Sequence, residues 1–129
     1  MIKQGIVNPL LASLLCRVRH TNMLVIADAA FPFWPQIETI DLSLVKGVPN
    51  VLQVAEAILP NWKCGGVFMA KEFKKCNDRK TRAAFARTFR GIKMTFEPHV
   101  DFKKRVPHAV GLIRTGDTTA YGNMILVSV

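Results

Sequence analysis

His20-Thr21-Asn22-Met23-Leu24-Val25-Ile26-Ala27-Asp28 is the stretch whose reading decides the fold. Met23 to Ile26 are consecutive apolar residues, too few for a helix and rich enough in branched side chains to form a buried strand. Asp28 stands where that strand leaves its sheet. In open α/β sheets ligands bind outside the carboxyl ends of strands, so a carboxylate at this point is a candidate site residue. Each end of the stretch also has a plainer role available: Asp28 caps the next turn, and His20 ends the preceding element.

Upstream, Asn8-Pro9 reads as an N-cap followed by proline at the first helical position. Leu10, Leu11, Leu14, Leu15 and Val18 recur at helical spacing, with Arg17 and Arg19 placed to complement the dipole, so a helix is expected over Pro9 to Arg19. Cys16 and His20 are then four apart, a spacing able to offer two metal ligands from one helix face. No second pair completes such a site, and a buried thiol near a helix end is the simpler reading. Downstream, two prolines interrupt Ala29-Ala30-Phe31-Pro32-Phe33-Trp34-Pro35 and make it a loop. Phe31 and Trp34 either pack beneath that loop or across a subunit contact, or wall a small ligand.

Further strands are expected at Ile37 to Leu42, Val67 to Ala70 after a Gly65-Gly66 turn, Lys93 to Glu97, Ala109 to Arg114 and Met124 to Val127. Helices are expected over Pro49 to Leu59, where Pro60 stops the run, and over Arg79 to Arg90. Strands alternating with helices give an α/β protein with about six short strands. The Gly65-Gly66 pair lacks the pattern of a phosphate-binding loop. If a helical turn begins at His99, then His99 and Lys103 share a face, a pairing that suits hydroxyl groups. Thr115 to Asn123 is a polar loop that presents a phenol, Tyr121, and an amide, Asn123, just before the last strand.

The 129 residues, 50% of them hydrophobic, are enough for one domain with a real core. No apolar run approaches the ~18 residues of a membrane span, and the start lacks the apolar core of a signal peptide, so a cytoplasmic, non-membrane protein is expected. Three cysteines without a CxxC pair argue against a disulfide framework. The net charge is +9, and between Lys71 and Lys93 nine basic residues face only Glu72 and Asp78. A basic helix of this kind is able to track phosphates, with Phe85 and Phe89 stacking on bases. The spacing of Phe85, Ala86 and Phe89 instead matches the buried stripe of an amphipathic helix with a solvated basic face, which makes nucleic acid the minor reading.

Taken in order, His20-Thr21, Asp28-Ala29, Phe31-Pro32, Ile40-Asp41-Leu42, Gly47-Val48-Pro49, His99-x-x-Phe102-Lys103 and Arg114-Thr115-Gly116 followed by Tyr121-Gly122-Asn123 resemble the D-ribose pyranase and L-fucose mutarotase family. The resemblance runs from about Gly5 to the C-terminus. It implies a monosaccharide mutarotase with a three-layer α/β/α fold, assembled as a ring-shaped homo-oligomer, typically a decamer, that needs neither metal nor organic cofactor. It places the catalytic histidine at His20 and the sugar-binding positions at Asp28, His99, Lys103, Tyr121 and Asn123. The His99 and Gly47-Val48-Pro49 segments look like the ribose branch, whereas Phe31-Pro32 and Tyr121-Gly122-Asn123 look closer to the fucose branch. The alternative is a non-catalytic module that binds a sugar, or a polyanion such as RNA through the basic 71–93 face.

The residue types suit that chemistry. Opening a cyclic hemiacetal needs one group to take the anomeric proton and another to protonate the ring oxygen. An unperturbed imidazole, with a pKa of ~6.5, offers both states near neutrality. One obstacle is geometric: eight extended residues at ~3.3 Å each hold His20 and Asp28 about 26 Å apart. Either Thr21-Asn22 folds His20 back, or neighbouring copies share one site.

Overall fold

A computed structural model describes all residues, Met1–Val129. Six strands form one sheet: β1 (Met23–Ala27), β2 (Glu38–Asp41), β3 (Cys64–Ala70), β4 (Lys93–Glu97), β5 (Gly111–Arg114) and β6 (Met124–Ser128), in the order β2-β5-β1-β6-β3-β4. The β1–β5, β2–β5 and β3–β4 pairs are parallel, and β6 runs antiparallel to both of its neighbours. All strands but β6 therefore end at the same edge of the sheet, and β6 begins there.

The period-two alternation of the strands sorts their side chains between two cores. Leu24 and Ile26 of β1, Ile113 of β5, and Met124 and Leu126 of β6 face the larger core, closed by α1 (Pro9–Arg17), α2 (Val51–Ile58), α3 (Glu72–Cys76) and α4 (Arg79–Thr88). The intervening Val25, Ala27, Leu112 and Ile125 face a smaller core made by α5 (His99–Arg105) and the turn after it, through Phe102, Val106 and Ala109. The result is the expected α/β/α sandwich with one thick and one thin helical layer. Phe102 is fully buried at the centre of the thin layer, and a residue of its size stabilises by roughly 1.5–3 kcal/mol when buried.

Several boundaries differ from those expected. The first helix ends at Arg17, because Val18 is extended and only its N–H still bonds back, to the Leu15 carbonyl. His20 is therefore off the helix, and Cys16, expected to be buried, is exposed, so the two do not share a helix face. Helix α2 starts at Val51, fixed by a capping box in which Asn50 and Gln53 bond each other's backbone N–H. Pro60 sits within a short 3-10 turn, Leu59–Asn61, rather than ending the run. Gly65 and Gly66 lie inside β3, at a shift in its register with β6, rather than in a turn before it. A Cβ at Gly65 would meet the Val129 side chain at 2.2 Å, so the close approach of the C-terminal residue accounts for glycine there.

Candidate active site

Three parallel strands end near one another, and the residues that follow them gather at the sheet's carboxyl edge. Asp28 follows β1. Because Ile26 pairs with Met124, the antiparallel register brings Asn123, the residue before β6, beside it. The Asn123 amide oxygen accepts the Asp28 N–H at 2.7 Å, and its Nδ2 donates to Asp28 Oδ2 at 3.0 Å. The other carboxylate oxygen accepts the Ala30 N–H at 3.0 Å. Asn123 is 5% exposed, so this pairing also satisfies a buried amide that would otherwise cost about 1–3 kcal/mol.

The following turn is held from the neighbouring strand. Arg114, at the end of β5, donates from Nε and Nη2 to the Ala29 carbonyl at 3.1 and 2.8 Å, and from Nη1 to Asp41 Oδ2 and Ser43 Oγ at 2.8 and 2.9 Å. The Ser43 hydroxyl and backbone, with Arg114, hold the Asp41 carboxyl below its usual range. Thr115 bonds the Ala27 carbonyl through both N–H and hydroxyl, and Asp117 accepts Ala29 N–H on its carbonyl. Arg114, Thr115 and Asp117 act through contacts between distant segments, so although Arg114-Thr115 belongs to the family-like pattern, no spacing in the sequence reveals what they hold.

His99 opens α5 after β4 and Pro98. Its backbone N–H donates to both carboxylate oxygens of Glu72, at 3.2 and 3.0 Å, which fixes the start of α5 against the start of α3. Arg105 clamps the other end of α5 to β4 through a paired contact with Glu97 at 2.6 and 2.9 Å. The imidazole is stacked on Phe102, centroids 5.9 Å apart, and meets Tyr121 edge-on at 5.1 Å. Its Nδ1 is buried and has no hydrogen-bond partner. Burial, and then the Lys103 ammonium one turn along α5, push the His99 pKa below its ordinary value, against the attraction of Glu72 and Asp28. The His99 imidazole, with its buried Nδ1 unbonded, thus lies close enough to the hydrogen-bonded Asp28 carboxylate for the two to interact.

Tyr121 adopts a left-handed backbone, φ 54°, within the loop before β6. The Asn77 Nδ2, just beyond α3, donates to the carbonyl of the preceding Ala120 at 2.8 Å. One short helix, α3, therefore anchors both His99 and the Tyr121 loop. It was invisible in a segment whose charge dominates its reading.

Of the six residues expected at a site, the chain gathers Asp28, His99, Lys103, Tyr121 and Asn123 at this edge. His20 lies at the opposite edge. Thr21, also left-handed at φ 68°, donates its N–H to the Ser128 carbonyl, where β6 ends rather than begins. The Thr21-Asn22 turn therefore does not fold His20 back toward Asp28, and the exposed His20 ring is separated from it by the length of β1. Phe31 and Trp34 pack against the thin-layer core, Phe31 edge-on to Phe102 at 6.4 Å, while Phe33 is exposed. Phe85 and Phe89 are 3% and 1% exposed, so neither offers a ring for base stacking. No three His, Cys, Asp or Glu side chains cluster as a metal would require, and no helix is long and apolar enough to cross a membrane.

Fold and site together define a small three-layer α/β protein with a carboxylate, an amide, an imidazole and a phenol converging at the carboxyl edge of a mixed sheet. The chain belongs to the RbsD / FucU transport protein family, whose model matches residues 1–129. It is 39% identical to the D-ribose pyranase of Geobacillus kaustophilus, over 99% of this chain and 93% of that protein. It is 38% identical to the D-ribose pyranase of Halalkalibacterium halodurans, over 99% and 97%. Its structure superimposes on Bacillus subtilis RbsD complexed with D-ribose with a TM-score of 0.92 at 34% identity, covering 99% of this chain and 97% of that one. The Streptococcus pneumoniae fucose mutarotase, complexed with L-fucose, shares the fold with a TM-score of 0.82 at 22% identity, covering 98% and 97%.

Proposed function

We propose that this protein is an isomerase that interconverts the cyclic forms of a monosaccharide, D-ribose between pyranose and furanose, by acid–base ring opening. The observation that carries this reading is the convergence of the Asn123-bonded Asp28 carboxylate with the His99 imidazole and Tyr121, in a chain 39% identical to a D-ribose pyranase and 34% identical to RbsD complexed with D-ribose.

In the proposed reaction a base removes the anomeric hydroxyl proton, the bond from the anomeric carbon to the ring oxygen breaks, and an acid protonates that oxygen. The open aldehyde turns, a different hydroxyl attacks the carbonyl, and the proton transfers run in reverse. Asp28, with both oxygens already fixed, accepts hydrogen bonds from sugar hydroxyls without having to reorganise. His99 Nδ1, Lys103, Tyr121 and Asn123 orient the remaining hydroxyls. His20 is the acid/base, and it comes from a second copy of the chain, because its own lies at the far end of β1.

The shared site requires a closed assembly, which we take to be a ring-shaped decamer in the cytoplasm. Support comes from apolar surface beside the site. Leu44 and Val45 are 77% and 60% exposed on a loop whose Gly47 donates its N–H to the Gly116 carbonyl, next to the Thr115–Asn123 loop. Exposed apolar patches of this kind mark contact surfaces. The test is NMR exchange spectroscopy of D-ribose. Acceleration of pyranose–furanose exchange by the protein supports the proposal, and exchange at the uncatalysed rate refutes it. Native mass spectrometry checks the assembly.

A further inference from the structure

The basic segment plays no part in the proposed reaction, yet it encloses a cleft of about 500 Å³ on the thick-layer side of the sheet. That size lies within the usual range of small-molecule sites. The floor is apolar: Phe73 of α3, Ala83 and Ala86 of α4, and Met94 and Phe96 of the edge strand β4. The rim is cationic. Arg79 and Arg82 are one turn apart on α4, and Lys74 reaches over the Phe96 ring at 3.9 Å from its centroid. Arg82 Nη1 also lies 3.5 Å from the Lys74 carbonyl, which joins α3 and α4 at the cleft.

These cations form no ion pair. The chain's ion pairs use Arg17, Lys104, Arg105 and Arg114, and none involves the rim. Of the two acids of the basic segment, Glu72 accepts the His99 N–H, and Asp78 caps α4 by accepting the Thr81 N–H at 2.8 Å; Asp78 attracts Arg82 but forms no ion pair with it. Three unpaired cations around one mouth, two of them guanidinium forks, match a doubly charged phosphate better than a carboxylate. The floor, by contrast, supplies no polar side chain to a ligand body. A sugar's hydroxyls would lose their hydration there without replacement, so the body must be apolar. A polynucleotide fits poorly as well, since Phe85 and Phe89 are buried and Lys74 covers Phe96.

We propose that this cleft binds an organic phosphate carrying an apolar ring or chain, at a site distinct from the Asp28–His99 cluster. Both sites border α3, which lends Phe73 and Lys74 to the cleft and Glu72 to His99.

The test is calorimetric titration of the intact assembly with 1-naphthyl phosphate at about 20 and 150 mM salt, with inorganic phosphate and a short RNA oligonucleotide as comparison ligands. The expected result is saturable binding of one molecule per chain, weaker at the higher salt, unaffected by D-ribose, and at least about tenfold tighter than inorganic phosphate. Arg79→Gln/Arg82→Gln should weaken it by about tenfold or more, through the lost charge-assisted bonds. Ala86→Phe, at an exposed position, should remove it by filling the floor while ribose exchange continues at the parental rate. The proposal is overturned if naphthyl phosphate fails to bind, if inorganic phosphate binds as tightly, if both variants keep full affinity, if D-ribose displaces the ligand, or if the RNA binds more tightly than naphthyl phosphate.

Discussion

The two ends of β1 are built on different terms. At the carboxyl end, Asp28 is fixed by Asn123 from ninety-five residues away, and the next turn is held by Arg114 and Asp117. At the amino end, Arg19, His20 and Thr21 are exposed; the Asn22 side chain bonds only locally, accepting the Arg19 N–H at 2.9 Å, and backbone bonds to Ser128 tie Thr21 and Asn22 to β6. One end is organised by the fold of its own chain. On the shared site proposed above, the other would acquire its setting from a neighbouring copy. Substitutions at the two ends should therefore separate: at His20 activity falls without loss of stability, whereas at the Asp28 end both fall together.

The largest expected effect is at His20. His20→Ala should slow ribose ring exchange by ~10²–10⁴-fold, the usual value of a positioned acid–base group, while the melting temperature stays within about 1 °C. A variant that retains full exchange would remove His20 from the reaction. The sharper experiment mixes His20→Ala with Asp28→Asn protein. Each alone should be close to inactive, but co-assembly in equal amounts should restore about a quarter of parental activity, the share of interfaces that pair two intact halves. If each site were complete within one chain, mixing would restore nothing.

Next in size is Asn123→Ala, which strips Asp28 of a donor and its N–H of an acceptor. A loss of about 1–3 kcal/mol, read as a melting-temperature drop of roughly 3–10 °C, should accompany reduced exchange. A drop in exchange with unchanged stability would break the contrast between the two ends. The smallest effect concerns pH. The His99 pKa is lowered in the fold by burial and then by Lys103, so His99 contributes stability above the unfolded value of ~6.5, which is lost as pH falls through its folded value. Urea unfolding at about pH 7.5 and 5 should show a larger decline for the parent than for His99→Gln. In NMR titration Lys103→Met should raise the His99 pKa toward its ordinary value.

Much of this was legible locally. The apolar run of β1, the Asn8-Pro9 helix start and the Lys93 to Glu97 strand follow from patterns contained within a few residues. Asp28, Tyr121 and Asn123 could be singled out because a carboxylate and a polar loop beside strand ends are local signals. The arrangement that joins them was not, since it depends on the β1–β6 register. Glycines misled where the cause was distant: Gly65 looked like a turn, but it is small because Val129 passes over it. Helix α3 spans only Glu72–Cys76, too short for periodicity to declare it, and its anchoring bonds from Glu72 and Asn77 connect segments far apart in the chain.

The lone antiparallel strand has a further consequence. β6 begins beside Asp28, and its last residue exchanges backbone bonds with Thr21 and Asn22. It thus works as a common ruler for the two half-sites that each copy would present to its neighbours. A slip of one residue along β1 would turn its side chains to the wrong layers, pull Asn123 off Asp28 and displace the support beneath His20 in the same movement. Errors in the two half-sites would then arise together.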